Sequence, residues 1–114
     1  MTWSILPWDS RGMSRLLTDD EVERQLESLP DWRVDGGRIV AELEAPDFPT
    51  AITLVDEIAL EAEDMNHHPD IDIRWRTVRL VLTTHDAGGV TQLDVELAHR
   101  ISDAAAKWKA RARG

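Results

Sequence analysis

Residues 48–86 read FPTAITLVDEIALEAEDMNHHPDIDIRWRTVRLVLTTHD, a run that passes from one helical stripe to two alternating segments. Its first part places Phe48, Ile52, Val55, Ile58, Ala59, Ala62 and Met65 on one stripe, with Asp56, Glu57, Glu61 and Asp64 off it. The spacing predicts a helix that stops at His67-His68-Pro69. The residue before a proline disfavours the helical region, and proline cannot continue the hydrogen-bond ladder. Helical spacing then gives way to alternation. Ile71, Ile73 and Trp75 alternate with polar residues, and Val78, Leu80, Leu82 and Thr84 alternate in the opposite parity. Two strands joined by a tight turn or bulge near Arg76 account for the switch.

Upstream, Thr18-Asp19-Asp20-Glu21 is a capping residue with a carboxylate three positions later, followed by Val22, Leu26 and Leu29 at helical spacing. A first helix is expected over about residues 19–28, ended by Pro30. Trp32 to Val34 reads as extended, Asp35-Gly36-Gly37 as a turn, and Ile39, Ala41 and Leu43 as the second arm of a hairpin. Downstream, Ala87-Gly88-Gly89 turns the chain, and Thr91 with Asp94 forms another capping pair. Leu93, Leu97, Ala98, Ile101, Ala105 and Trp108 then give a closing helix. The order α-β-β-α-β-β-α predicts an α+β domain, a four-stranded antiparallel sheet with three helices packed on one face. Residues 1–14 carry Trp3 and Trp8 without periodicity, which leaves open a flexible extension, a packed arm or an upstream start codon. The domain proper is assigned to residues 15–114.

Composition narrows the function classes. The absence of cysteine excludes disulfides, thiolate metal sites and cysteine nucleophiles from the chain and suits a reducing cytoplasm. No apolar run approaches membrane-spanning length, and no secretory leader is legible at the N-terminus. The formal charge of −9, from 22 acidic against 13 basic side chains, repels a phosphate backbone and argues against direct nucleic-acid contact. The basic cluster Lys107, Lys109, Arg111 and Arg113 reads as cations complementing the dipole at the end of the final helix.

Three of the four histidines fall near element ends, His67 and His68 at the close of the central helix and His85 at the end of the last strand. Imidazole titrates near neutrality, so a group of them can give and take protons on a small molecule. Glu63, four residues before His67 on the same helix, is placed to touch its ring and orient it. Asp94 in the first turn of the last helix reads most simply as a cap, and Trp32 as a core or interface aromatic. His99, mid-helix on the polar side, carries no expected function. Each histidine alone also has a structural reading, because histidine favours helix C-termini.

The joint order is more specific than its parts: Glu63-x-x-x-His67-His68-Pro69, Trp75, Thr83-Thr84-His85-Asp86 with Gly88-Gly89, then Asp94. Over about residues 15–110, with Trp32 as an early aromatic, this set resembles the pterin-4a-carbinolamine dehydratase family. The resemblance implies four antiparallel strands with three helices on one face, assembled as homodimers or homotetramers. It implies loss of water from a 4a-hydroxytetrahydropterin to give the quinonoid dihydropterin, in tetrahydropterin recycling beside an aromatic amino acid hydroxylase. The pterin is then the substrate, and no cofactor or metal is expected. His67, His68 and His85 would be the catalytic histidines, and Glu63, Trp32, Thr84 and Asp94 would bind or support; the resemblance does not divide acid from base. Ile71 and Asp72 depart from relatives with aromatic residues there, which bears on substrate contacts rather than on the histidines.

Two other readings stand beside this one. A noncatalytic dimerisation or assembly partner could share the fold. A metal site on two histidines and a carboxylate is the other, although adjacent helical histidines point about 100° apart and joint ligation would require the helix end to unwind.

Overall fold

A computed structural model of the chain describes residues 13–113. Helix α1 (Asp19–Leu26) leads into β1 (Arg33–Val34) and β2 (Ile39–Glu44). Helix α2 (Phe48–Met65) is followed by β3 (Asp70–Arg74) and β4 (Thr77–Leu82), a short 3-10 turn (His85–Ala87), α3 (Gln92–Lys107) and β5 (Arg111–Ala112). The strands form one antiparallel sheet in the order β1-β2-β4-β3, with β5 also on β2. The expected α+β architecture and element order are present, with β5 added.

The register explains how the sheet divides its two faces. Ile39 pairs with Leu82, Ala41 with Leu80 and Leu43 with Val78. All six are essentially buried and belong to the core shared with the helices. Their alternate neighbours on the opposite face include Glu42 against Arg79, which in turn faces Asp72 on β3. Only the Val40–Val81 pair on that face is apolar and buried, so one face carries the core and the other is largely charged.

Helix α2 forms over the expected residues but buries a different stripe. Ala51, Leu54, Ile58, Ala62 and Met65 face the core, whereas Phe48, Ile52 and Ala59 are exposed. The two stripes share Ile58, Ala62 and Met65, and the buried one is rotated by about 50° at the helical pitch of 100° per residue. The first half of α2 is apolar over a wide arc, so sequence spacing alone leaves its rotation loosely set.

The end of α2 also differs from expectation. Asn66, at φ 50, adopts the left-handed conformation that asparagine tolerates. The Asn66 N–H donates to the Glu63 carbonyl (3.1 Å) and the His67 N–H to the Ala62 carbonyl (3.0 Å). This paired closure satisfies terminal carbonyls and stops the helix before the proline is reached. Helix α3 closes likewise at Lys109 (φ 60), with the Ala110 N–H donating to the Ala105 carbonyl at 2.8 Å. The reversed chain then lies along β2 as β5, and the Arg113 N–H reaches the Glu42 carbonyl at 2.9 Å. The basic cluster is therefore only partly at the helix end, with Lys109 at the closing residue and Arg111 and Arg113 beyond it. Lys107 alone sits in the last turn, while Arg111 is in a strand too short to show alternation.

Smaller boundaries shift as well. Helix α1 ends at Leu26, after a complete capping box between Thr18 and Glu21. Trp75 does not extend β3; Arg74 pairs with Thr77, so Trp75 and Arg76 form the turn, with Trp75 at φ 60 and 84% exposed. At the N-terminal side, the Met13 carbonyl accepts from the Leu93 N–H and the Leu17 N–H donates to the Val90 carbonyl. Trp3, Trp8 and the rest of residues 1–12 lie outside the described residues.

Candidate active site

The turn at Asn66 sets the two adjacent histidines on different paths. His67 leaves the helical line and reaches α3, where its Nε2 lies 2.6 Å from Oδ1 of Asp94. Asp94 is fully buried in the first turn of α3, and the His67 side chain is 12% exposed. The other oxygen of Asp94, Oδ2, accepts from the Thr84 hydroxyl and from the Thr91 N–H, both at 2.8 Å. The Thr84 and Thr91 hydroxyls are in turn 2.8 Å apart. Asp94 thus serves as the capping-box carboxylate of α3 and as the partner of His67. Among the described residues, no buried side-chain polar atom lacks a partner, as a water-poor polar network requires.

His68 takes the carboxylate expected for its neighbour. Its Nε2 lies 2.5 Å from Oε2 of Glu63, and both side chains are well exposed. The expected Glu63–His67 pair is therefore corrected to Glu63–His68. The i,i+4 geometry behind that expectation holds only while the chain stays helical, and Asn66 breaks it one residue too early.

His85 stands exposed at the start of the 3-10 turn after β4, one residue beyond the buried Thr84. A cleft of about 300 Å³ is lined by Asn66, His67, His68, Thr83, Thr84, His85 and Asp86. The three histidines from two chain segments therefore open on one space. A larger hollow of about 490 Å³, between α1 and the two glycine turns, holds none of them. Helix α2, which leads to His67, is tied to α3 by Arg100 of α3, which bonds Glu61 and Asp64 of α2 and Glu96 of its own helix.

Not every expected site residue comes to this cleft. Trp32 is buried, with its indole N–H donating to the Ser102 hydroxyl at 3.0 Å, and it does not line the cleft. Its place is in the core beneath α3. His99 lies half-buried on α3, also away from the lining. Asn66 and Thr91 are the residues that the reading of the sequence did not single out for the site. Asparagine just after a helical stripe signals a left-handed cap, and Thr91 was visible only as a helix cap. Imidazoles grouped around one cleft can exchange protons with a bound molecule near neutral pH. Among the described residues, no group of three or more His, Asp or Glu side chains is placed to hold a metal ion, and no helix is long and apolar enough to cross a membrane.

The chain as a whole is similar to known proteins. The family profile described as pterin 4 alpha carbinolamine dehydratase matches residues 15–104. A protein of Nocardia farcinica, provisionally named pterin-4-alpha-carbinolamine dehydratase, is 49% identical over 92 residues, covering 81% of this chain and 97% of its own. A protein of Roseiflexus sp. with the same provisional name is 50% identical over 91 residues, covering 80% and 98%. The crystal structure of a transcriptional coactivator/pterin dehydratase from Brucella melitensis aligns with a TM-score of 0.75 at 35% identity, over 78% of this chain and 97% of that one.

Proposed function

The chain belongs to the pterin 4 alpha carbinolamine dehydratase family, and from that membership we propose that it removes water from a 4a-hydroxytetrahydropterin to give the quinonoid dihydropterin. The observation that carries this reading is the meeting of His67, His68 and His85 on one cleft, with His67 held by the buried Asp94.

The chemistry needs a proton delivered to the departing 4a-hydroxyl oxygen while a proton leaves N5 of the ring. The C4a–O bond breaks, a C4a–N5 double bond forms, and water departs. Two imidazoles on either side of a flat substrate can serve both transfers. We assign these transfers to His67 and His85, with His68 binding or polarising the pterin. Asp94 orients His67, and Thr84 supports Asp94 from behind. Glu63 supports His68 only weakly, because exposed pairs contribute little. The pterin is the substrate, and the reaction uses no separate cofactor.

The proposal extends to a place in tetrahydropterin recycling, downstream of an aromatic amino acid hydroxylase, in a cytoplasmic homodimer or homotetramer. The Brucella protein is described as a transcriptional coactivator as well as a pterin dehydratase, and the second reading is a noncatalytic partner on the same fold. The deciding experiment measures dehydration of freshly generated 4a-hydroxytetrahydropterin with wild type and with folded His67→Ala and His85→Ala proteins. Acceleration by wild type and its loss in both variants supports the enzyme. A wild-type rate equal to the uncatalysed one overturns it and leaves the partner role.

A further inference from the structure

The polar chain behind His67 has a direction. The Thr91 hydroxyl oxygen accepts the Leu93 N–H at 3.2 Å, and its proton is directed to the Thr84 hydroxyl 2.8 Å away. Thr84, receiving at its oxygen, donates its own proton to Oδ2 of Asp94, which also takes the Thr91 N–H. Asp94 is therefore surrounded by donors and offers only acceptor capacity to the ring nitrogen 2.6 Å from Oδ1. An imidazole bonded to such a partner carries its proton on the bonded nitrogen and its lone pair on the other.

We propose that Thr91 is a positioning residue which acts through Thr84 and Asp94 to hold neutral His67 with the proton on Nε2 and the lone pair on Nδ1. Nδ1 is then the atom of His67 that exchanges a proton with the substrate. Thr91 is fully buried and does not line the cleft, so any effect of its hydroxyl reaches the cleft through Thr84 and Asp94 or through the cap of α3. Thr84 and His67 both donate into Asp94, so Thr91 acts by fixing the Thr84 hydroxyl and with it the rotation of the carboxylate; without Thr91, Oδ1 is aimed less firmly at the ring.

The kinetic half of the proposal rests on the dehydratase reading, whereas the tautomer is read directly from the ring. Long-range ¹⁵N–¹H correlation spectra of the full chain, recorded where His67 is neutral, should show the Nε2–H form. A predominant Nδ1–H form overturns the proposal, whatever the protein's activity. Thr91→Val should mix the two forms and lower kcat about five- to tenfold, the size of one lost hydrogen bond, with KM changed less than about twofold. Thr91→Ser, which keeps the hydroxyl, should restore both readouts. Thr84→Val breaks the same link without removing the helix cap and should behave like Thr91→Val. If folded Thr84→Val keeps the pure Nε2–H form and the wild-type kcat, the positioning role is wrong. If wild type does not catalyse dehydration, the proposed reaction fails, and the spectra still decide the tautomer.

Discussion

Oε2 of Glu63 meets Nε2 of His68 at 2.5 Å on the open surface, while the neighbouring His67 turns inward to a carboxylate 27 residues away. Two adjacent histidines thus hold carboxylates of very different environment. The Glu63 side chain is 75% exposed, and Asp94 is fully buried. Burial decides which pair matters more, because solvent screens the first and leaves the second intact.

Glu63→Gln should accordingly change the dehydration rate by less than about threefold, within the range of an exposed ion pair. Asp94→Asn should lower it by about a hundredfold or more, because a carboxamide reverses part of the donor pattern around Oδ2, and should destabilise the fold by about 1–3 kcal/mol. Steady-state kinetics and denaturant unfolding of both variants check the contrast. Equal effects would remove the assigned hierarchy.

The left-handed turn at Asn66 gives a second test. Asn66→Gly keeps that backbone region accessible and should leave stability within about 0.5 kcal/mol of wild type. Asn66→Val places a branched side chain at φ 50 and should cost about 1–2 kcal/mol. His67 and His68 follow this turn directly, so Asn66→Val should also lose activity while still folded. Full activity in a folded Asn66→Val protein would show that the turn does not position them.

Trp32→Phe tests whether that ring serves packing or substrate. It removes the indole bond to Ser102 while keeping most of the buried area. Stability should fall by about 1 kcal/mol, the value of one hydrogen bond, with kcat and KM unchanged. A selective rise in KM would return Trp32 to the site.

Acid stability should carry a contribution from Glu21. The bidentate bond from Arg15, aided by the Thr18 N–H, holds its carboxyl down at about 2, below the ordinary 4.5. A carboxyl lowered on folding adds stability above its unfolded value, and that contribution is lost as pH falls from about 4.5 towards 2. Wild type should therefore exceed Glu21→Gln in stability at pH 6, with the gap narrowing by pH 3. Salt should narrow it too, because the pair faces solvent. Urea midpoints at both pH values measure it; a gap that widens in acid contradicts the sign.

The fold was legible where periodicity was strong. Thr18 with Glu21 and Thr91 with Asp94 announced two helix starts, and the parity switch around Trp75 announced the β3–β4 hairpin. The rotation of α2 was not, because Phe48 and Ile52 are as apolar as Leu54 and only the packed partners choose between them. Strand β5 was hidden because two residues cannot display a period. In the site, the three histidines were readable from their positions at element ends and from the joint motif. The reading gave Glu63 to His67 and Asp94 to the helix cap alone, since spacing within a helix says nothing once one asparagine leaves it. The Thr91–Thr84 contact depends on the tertiary return of the chain through the Gly88-Gly89 turn, beyond the reach of local pattern.

Because Asp94 sits in the capping box of α3, the proposed site would be ordered only together with that helix. The same carboxylate that closes the first turn of the last helix also fixes the imidazole, so a chain whose C-terminal helix has not docked cannot present an ordered His67. Damage that frays this helix end should silence the site at the same time. Partly folded molecules would then be inert rather than wrongly active.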